Sequence, residues 1–284
     1  MPSVTSVKTL ARDLVRRHMD RSSRPFRILR DRHEFSARRR AAERLDGAQS
    51  PYLAALDETG FVQFDGSPIL VRELVDASRR KLAEAEALPQ RGNKPFFSQL
   101  LSAADRTPAS VFLRFALDEQ LLKLVAAYLR CAPFLNSVEL LYSKPMGAGP
   151  MASQLWHRDR RDLAIIKVFV YATDVEPANG PLTMLSKEES RKVPEYLPHY
   201  LDDEQVGRYA SLDKAAALTG PAATTWVVDS ENCYHLGSRC ERPRLAYVAF
   251  FDSGFGYRPR ESNWRALAPA ADWTPLQRYA LGLE

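Results

Sequence analysis

From about residue 135 to residue 255 the chain is a succession of short segments with strand character, punctuated by proline and glycine. The segments are SVELLYS, SQLWHRD, AIIKVFVYATDV, PLTML, TTWVVD and RLAYVAFF. Their β-branched and aromatic content is typical of strands. Asn179-Gly180-Pro181, between two of them, is a strong turn signal. So many short strands in one run favour a closed or double-layered β architecture, and we predict a jelly-roll barrel.

Helical segments precede these strands. Residues 51–66 predict a short helix, a stop at Gly60 and a strand, and residues 68–88 and 117–130 predict two further helices. Helices followed by a run of strands indicate an α+β protein. We therefore expect a double-stranded β-helix (jelly-roll, cupin-like) core over about 135–255, with N-terminal helices packed on it.

The positive charge of the chain lies at its N-terminus. The 284 residues carry a net charge of +5, but residues 1–50 alone hold 13 Lys and Arg against 6 Asp and Glu, so the remainder is slightly acidic. We predict a basic helical arm over 1–50 and one functional domain over 51–284. Apolar residues at helical spacing (Val4, Val7, Ala11, Leu14, Val15) predict an amphipathic helix in the arm.

Two interpretations of this arm remain open. A basic amphipathic helix can contact an anionic membrane or an acidic partner, or it can pack on the body with its arginines in water, which we favour. Few aromatics and no nucleic-acid motif argue against nucleic-acid binding. The sequence has three cysteines, no signal-peptide core and no long apolar stretch, and we therefore expect a cytoplasmic protein. If the arm binds lipid, the protein would be peripheral at the inner face of a membrane.

The tripeptide His157-Arg158-Asp159 predicts a metal site. If SQLWHRD is a strand, the side chains at 157 and 159 point to the same face. His235 follows TTWVVDSENCY and is placed to supply a third ligand across a barrel. Two imidazoles and one carboxylate on one side of an ion form the facial triad of non-haem Fe(II) oxygenases, although an HxD alone also occurs by chance beside a buried histidine.

Arg244 predicts an anion site. It opens the strand RLAYVAFF and shares a strand face with Ala246, Val248 and Phe250, so its guanidinium needs an anionic partner. That partner is either a bound carboxylate or an internal Asp or Glu. Arg242 and Arg239 remain alternatives for the same role.

The sequence resembles the phytanoyl-CoA dioxygenase family of Fe(II)- and 2-oxoglutarate-dependent oxygenases. The similar elements are GFVQFDG, LLYSKP, QLWHRD, KVFVYATDVEPANGPL and HLGSRCERPR, in the family's order over about residues 55–252. Two departures are a shorter interval from His235 to Arg244 and the segment LSKEES, which replaces a family motif.

The resemblance implies residue roles. His157, Asp159 and His235 would bind Fe(II), Arg244 would hold the distal carboxylate of 2-oxoglutarate, and Ser238, Leu140 and Phe169 would make lesser co-substrate contacts. Lys167 and Tyr171 share strand parity with Phe169 and would also face the pocket.

The resemblance also implies the reaction, a hydroxylation of an unactivated C–H bond with O2, releasing succinate and CO2. Halogenating relatives have a small residue where this chain has Asp159, which favours hydroxylation. The implied substrate is a small or lipid- or glycan-linked molecule, and the basic arm suggests an anionic one. Two alternatives are a hydrolytic zinc site and a non-catalytic relative that acts as a binding module.

Overall fold

The computed structural model describes residues 25, 28–44, 51–85, 90–91, 94–147, 149–162, 164–256, 264, 267, 270 and 272–283. Its helices are α1 (Arg32–Glu43), α2 (Pro51–Thr59), α3 (Pro68–Ala83), α4 (Val111–Ala116), α5 (Glu119–Leu129), α6 (Lys187–Lys192), α7 (Asp203–Gly207) and α8 (Pro275–Leu281). In the described ranges, no helix combines the length and the apolar character needed to cross a membrane.

The strands form two antiparallel sheets. They are β1 (Phe61–Gln63), β2 (Gln90–Arg91), β3 (Lys94–Gln99), β4 (Phe134–Ser143), β5 (Ile166–Tyr171), β6 (Leu182–Met184), β7 (Ala216–Leu218), β8 (Thr225–Asp229), β9 (His235–Leu236) and β10 (Arg244–Asp252). The larger sheet has the order β1-β8-β5-β10-β4-β3-β2 and the smaller one β7-β6-β9. Helices combined with antiparallel sheets confirm the expected α+β class.

The predicted helices form with shortened ends. The helix expected over 117–130 is α5, because the Asp118 side chain caps its first turn by accepting from Leu121 N at 3.0 Å. Its last turn ends at Arg130, which takes a left-handed φ of 53°. The helix expected over 68–88 is α3, which begins at Pro68 and ends at Ala83.

Strand β10 lies in the middle of the larger sheet, between β5 and β4, and it separates two environments. Leu245, Tyr247, Ala249 and Phe251 point towards the helices and belong to the main hydrophobic core, with Leu121, Leu122 and Val125 of α5. The alternate residues point towards the smaller sheet. A strand that is buried on both faces in this way holds the residues of its second face in fixed positions.

The second face of the sheet carries side chains in register across three strands. Phe250 pairs with Lys167 of β5 and Ser137 of β4, and Val248 pairs with Phe169 and Glu139. These rows form the floor of a cavity between the two sheets. The smaller sheet packs on the larger one through Leu182, Met184 and Leu218, which contact Val228 and Trp226.

The amphipathic helix predicted over residues 4–15 lies outside the described residues. The following helix, α1, packs on the body. Arg38 in α1 is fully buried and donates to the carbonyl oxygens of Ala132, Pro133 and Tyr279 at 3.3, 3.2 and 2.9 Å. The division of the chain at residue 50 stays a prediction.

Candidate functional site

His157 and His235 are joined through their backbones. His157 N donates to His235 O at 3.0 Å and His235 N donates to His157 O at 2.9 Å, an isolated antiparallel bridge. Since His235 is in β9, this bridge attaches His157 to the smaller sheet. The two imidazole centroids lie 4.3 Å apart, and the two side chains are almost completely buried.

The segment SQLWHRD is not the regular strand that the sequence predicted. Residues 152–154 form a short 3-10 turn, Trp156 and His157 make only isolated bridges, and Arg160 takes a φ of 48°. Asp159 is instead held by its own backbone, since its N–H donates to Ser230 O at 3.0 Å, just beyond β8. The ligands therefore converge because the segment is bound to two different strand ends, and not because of strand parity.

The three side chains present ligand atoms to a common point. One ligand atom each from His157, Asp159 and His235 lies within 4.8 Å of the others. His157 Nδ1 is 2.9 Å from Leu155 O, and His235 Nδ1 is 3.0 Å from Cys233 O. A carbonyl oxygen only accepts, so each Nδ1 carries the proton and each Nε2 offers its lone pair. This is the ligand set and second-sphere arrangement that a divalent transition metal requires, and the residues fit such an ion.

The charge state of the cluster suits a cation. Burial lowers the pKa of both His157 and His235 below the usual value, which keeps the imidazoles neutral. Burial alone would raise the pKa of the Asp159 carboxyl, but the Lys167 ammonium outweighs it and holds that pKa far below its usual range. Lys167 Nζ lies 2.7 Å from Asp159 Oδ2. The cluster is thus two neutral imidazoles and one ionised carboxylate.

Arg244 lies in the same cavity, with its guanidinium buried. Its Nη1 donates to Gly180 O at 2.7 Å and its Nη2 to Ser238 Oγ at 2.8 Å, while Nε has no hydrogen-bond partner among the residues that the structure describes. Within the described part of the chain no carboxylate pairs with this guanidinium. A buried cation without an anion is costly, so the position calls for an anionic ligand.

The two alternative arginines have carboxylate partners. Arg239 makes a bidentate pair with Asp203 at 2.7 and 2.9 Å, and Arg242 pairs with Glu176 at the surface. The side chain of Arg242 is 58% exposed, whereas Arg244 as a residue is 4% exposed. Of the three arginines, Arg244 is the one that lines the cavity.

The cavity has a volume of about 490 Å³, a size suited to a small molecule. Of the residues expected to contact the co-substrate, Ser238 and Phe169 line it, and so does Lys167. The expected contact from Leu140 is wrong, because this side chain points to the helix side of β4 and is fully buried in the main core; its neighbour Leu141 lines the cavity instead. Tyr171 also lies outside the lining, and its hydroxyl donates to Leu218 O.

Sequence reasoning missed several residues around the site. Lys94 lines the cavity from the first residue of β3, and Arg106 and Arg161 line it from loops, where no periodic pattern marks them. His199 and Tyr200 also lie beside the candidate metal ligands. The ring centroid of His199 is 5.9 Å from that of His157, and the ring centroid of Tyr200 is 5.4 Å from it. Only the fold brings these segments to the site.

Comparison with solved structures finds similar folds. The crystal structure of EctD from S. alaskensis with bound Fe has a TM-score of 0.50 and 19% identity, covering 73% of this chain and 77% of that chain. The structure of EctD with 2-oxoglutarate and 5-hydroxyectoine has a TM-score of 0.53 and 22% identity, covering 79% and 86%. The non-heme alpha ketoglutarate dependent carbocyclase SnoK from nogalamycin biosynthesis has a TM-score of 0.50 and 16% identity, covering 74% and 85%.

These identities show a shared fold and no more. No protein family model and no curated protein matches the sequence.

Proposed function

We propose that this protein is an Fe(II)- and 2-oxoglutarate-dependent dioxygenase, built on a double-stranded β-helix and related to the phytanoyl-CoA dioxygenase family. The observation that carries the proposal is one cavity with two functional ends. The cluster of His157, Asp159 and His235 lies in it, and so does the buried guanidinium of Arg244. Metal ligands and an anion clamp in one enclosed space are what a metal-bound dicarboxylate co-substrate requires.

Each residue has a defined task in this proposal. His157, Asp159 and His235 hold Fe(II), and Arg244 binds the distal carboxylate of 2-oxoglutarate with the help of the Ser238 hydroxyl, which it already orients at 2.8 Å. Phe169 contributes an apolar wall that excludes water. With O2, the iron and the co-substrate supply the oxidation of an unactivated C–H bond, with release of succinate and CO2.

Structures with a similar fold support the choice of cofactors. EctD is known with bound Fe and with 2-oxoglutarate, and SnoK is described as alpha ketoglutarate dependent. SnoK is a carbocyclase, so this fold accommodates more than one oxidative outcome. We propose hydroxylation here, because this chain retains the carboxylate of Asp159 as a ligand where halogenating relatives lack one.

The substrate in this proposal is a small molecule or a lipid- or glycan-linked one. Contact of the basic arm with the inner face of a membrane remains part of the proposal. It is tested by deletion of residues 1–45 followed by liposome sedimentation. Unchanged partitioning of the truncated protein would remove membrane contact from the proposal.

The alternative is a non-catalytic metal-binding relative with the same fold that acts as a binding module, and one contact favours it. The ammonium of Lys167 lies 2.7 Å from Asp159 Oδ2 and neutralises the carboxylate that the metal would use. If this ion pair persists, metal affinity is reduced. Because both candidates bind a metal, the iron–keto-acid band and the release of succinate separate them.

The test is an anaerobic titration of the purified protein with Fe(II) and then with 2-oxoglutarate. We expect the weak visible charge-transfer band of an iron–keto-acid complex, followed by succinate release when O2 is admitted. Asp159→Ala should lose both iron binding and the band, whereas Asp213→Ala, at an exposed site, should behave as the wild type. Iron binding without the band in the wild type, or full turnover by the Asp159 variant, would contradict the proposal.

A further inference from the structure

The described lining of the cavity is strongly cationic. It contains the five side chains of Lys94, Arg106, Arg161, Lys167 and Arg244 but only two carboxylates, Glu139 and Asp159. With both cluster imidazoles neutral, the net charge of the lining is +3. A divalent metal and a doubly charged 2-oxoglutarate cancel each other, so the excess positive charge remains when both are bound. Clefts lined by one sign of charge concentrate ligands of the opposite sign.

Asp252, an acid outside the described lining, offsets part of this excess. Arg161 Nε lies 3.3 Å from Asp252 Oδ2. With Asp252 ionised, the balance is still +2. The cavity therefore favours an anionic occupant beyond the co-substrate.

The cations lie at separate positions along the cavity floor. Arg244 and Phe250 are six residues apart on β10, which corresponds to about 20 Å along an extended strand. Lys167 and Arg161 lie over the ring of Phe250, 5.7 and 5.8 Å from its centroid. A second anion near this end does not compete with 2-oxoglutarate at Arg244.

Arg106 is a cation of the lining that is available to bind a second anion. It is half-buried in the cavity lining and follows a 3-10 turn, and it has no ion pair or side-chain hydrogen bond within the ranges the structure describes. The adjacent Asp105 is already engaged, because it pairs with Lys81 at 2.6 Å and accepts from the Ser102 N–H at 2.8 Å. Among the described residues, the guanidinium of Arg106 thus lines the cavity without a carboxylate partner.

We infer that the substrate of this enzyme is an anionic small molecule bearing a carboxylate or a phosphate, and that Arg106 binds this group. The inference rests on the proposed function and specifies the substrate class for the same cavity. Its basis is the charge of the cavity and the contacts of Arg106, and it is independent of the basic N-terminal arm.

The experiment is ligand-observed saturation-transfer NMR on the full-length protein loaded with diamagnetic Zn(II) and saturating 2-oxoglutarate. The probes are two matched pairs, hexanoate with hexanamide and glucose 6-phosphate with glucose. In each pair only the charged group differs, and comparison of the two pairs distinguishes a carboxylate from a phosphate substrate.

We expect the anionic member of at least one pair to bind, and its neutral twin to bind much more weakly. Arg106→Glu should weaken that binding about tenfold or more, since a charge-assisted contact is lost and a repulsion is added. Arg106→Gln should give a smaller loss of the same sign. Arg208→Glu, a matched reversal at an exposed arginine, should leave probe binding unchanged.

Two results would overturn the inference. The first is that a neutral probe and its charged twin bind equally well to the wild type. The second is that Arg106→Glu binds the anionic probe as tightly as the wild type does. The 2-oxoglutarate signal in the same tube reports on the proposed function separately. Absence of that signal while the anionic probes still bind through Arg106 would refute the co-substrate assignment alone.

Discussion

Replacing Arg244 by Gln removes a cation that has no anionic partner among the described residues. The guanidinium is buried, and no described residue bonds to its Nε, so a bound carboxylate is its natural partner. Truncation of one member of a buried, hydrogen-bonded charge pair costs about 2–5 kcal/mol. At about 1.4 kcal/mol per factor of ten, we expect the affinity for 2-oxoglutarate to fall roughly 30- to 5000-fold.

The assay is the anaerobic titration of Fe(II)-loaded protein with 2-oxoglutarate, followed through the visible charge-transfer band. Arg242→Gln is the matched control, because it removes the same charge at a position two residues before Arg244. The side chain of Arg242 is 58% exposed and pairs with Glu176. It should titrate as the wild type does. Arg239→Gln breaks the pair with Asp203 outside the cavity lining and should also retain its co-substrate affinity.

Metal affinity separates a local effect from a folding defect. Arg244 is not one of the three clustered ligand residues, so Arg244→Gln should bind Zn(II) with wild-type affinity. Arg244→Lys keeps a charge but not the planar fork, and should recover part of the lost 2-oxoglutarate affinity. Wild-type co-substrate affinity in Arg244→Gln, or an equal loss in Arg242→Gln, would refute the assignment of Arg244.

Two further predictions concern charges next to the cluster. Burial, together with the charge of Asp159, raises the pKa of Glu231 to about 8 from 4.5. The wild type therefore loses stability as pH rises from about 4.5 to 8. The free energy of unfolding of Glu231→Gln should be about 4 kcal/mol larger than that of the wild type at pH 8, but not at pH 4. Urea denaturation across this pH range tests this, with the exposed Glu188→Gln as control; parallel curves for variant and wild type would contradict it. Lys167→Met removes the ammonium 2.7 Å from Asp159 and should tighten Zn(II) binding about tenfold. Calorimetry measures this affinity, with Lys123→Met as the control. Weaker Zn(II) binding by Lys167→Met would mean that Lys167 supports the site rather than competes with the metal.

Local patterns were sufficient for most of the secondary structure. The helix predicted over 117–130 is α5, and the alternation in RLAYVAFF correctly predicted which face of β10 carries Arg244, Val248 and Phe250. These patterns work because the helical and strand periods are properties of the backbone, independent of the partner against which an element packs.

Predictions failed where a side chain's position depends on more than its own element. Leu140 and Leu141 are adjacent, and only the pairing of β4 with β10 shows that Leu141 lines the cavity while Leu140 enters the core. SQLWHRD was expected to form a strand, but its backbone bonds are made to β9 and to Ser230, which are distant in sequence. Contacts of this kind leave no local period to detect.

The order of elements, the type of ligand side chains and the candidate anion clamp can all be read from residue identity and spacing along the chain. The packing of the two sheets decides three other properties. These are the convergence of His157, Asp159 and His235, the choice of Arg244 over its two neighbours, and the positive charge of the cavity. Residue chemistry is a local property. Burial, ion pairing and the distances between remote side chains are fixed only once the chain has folded. They depend on which groups pack together and exclude water.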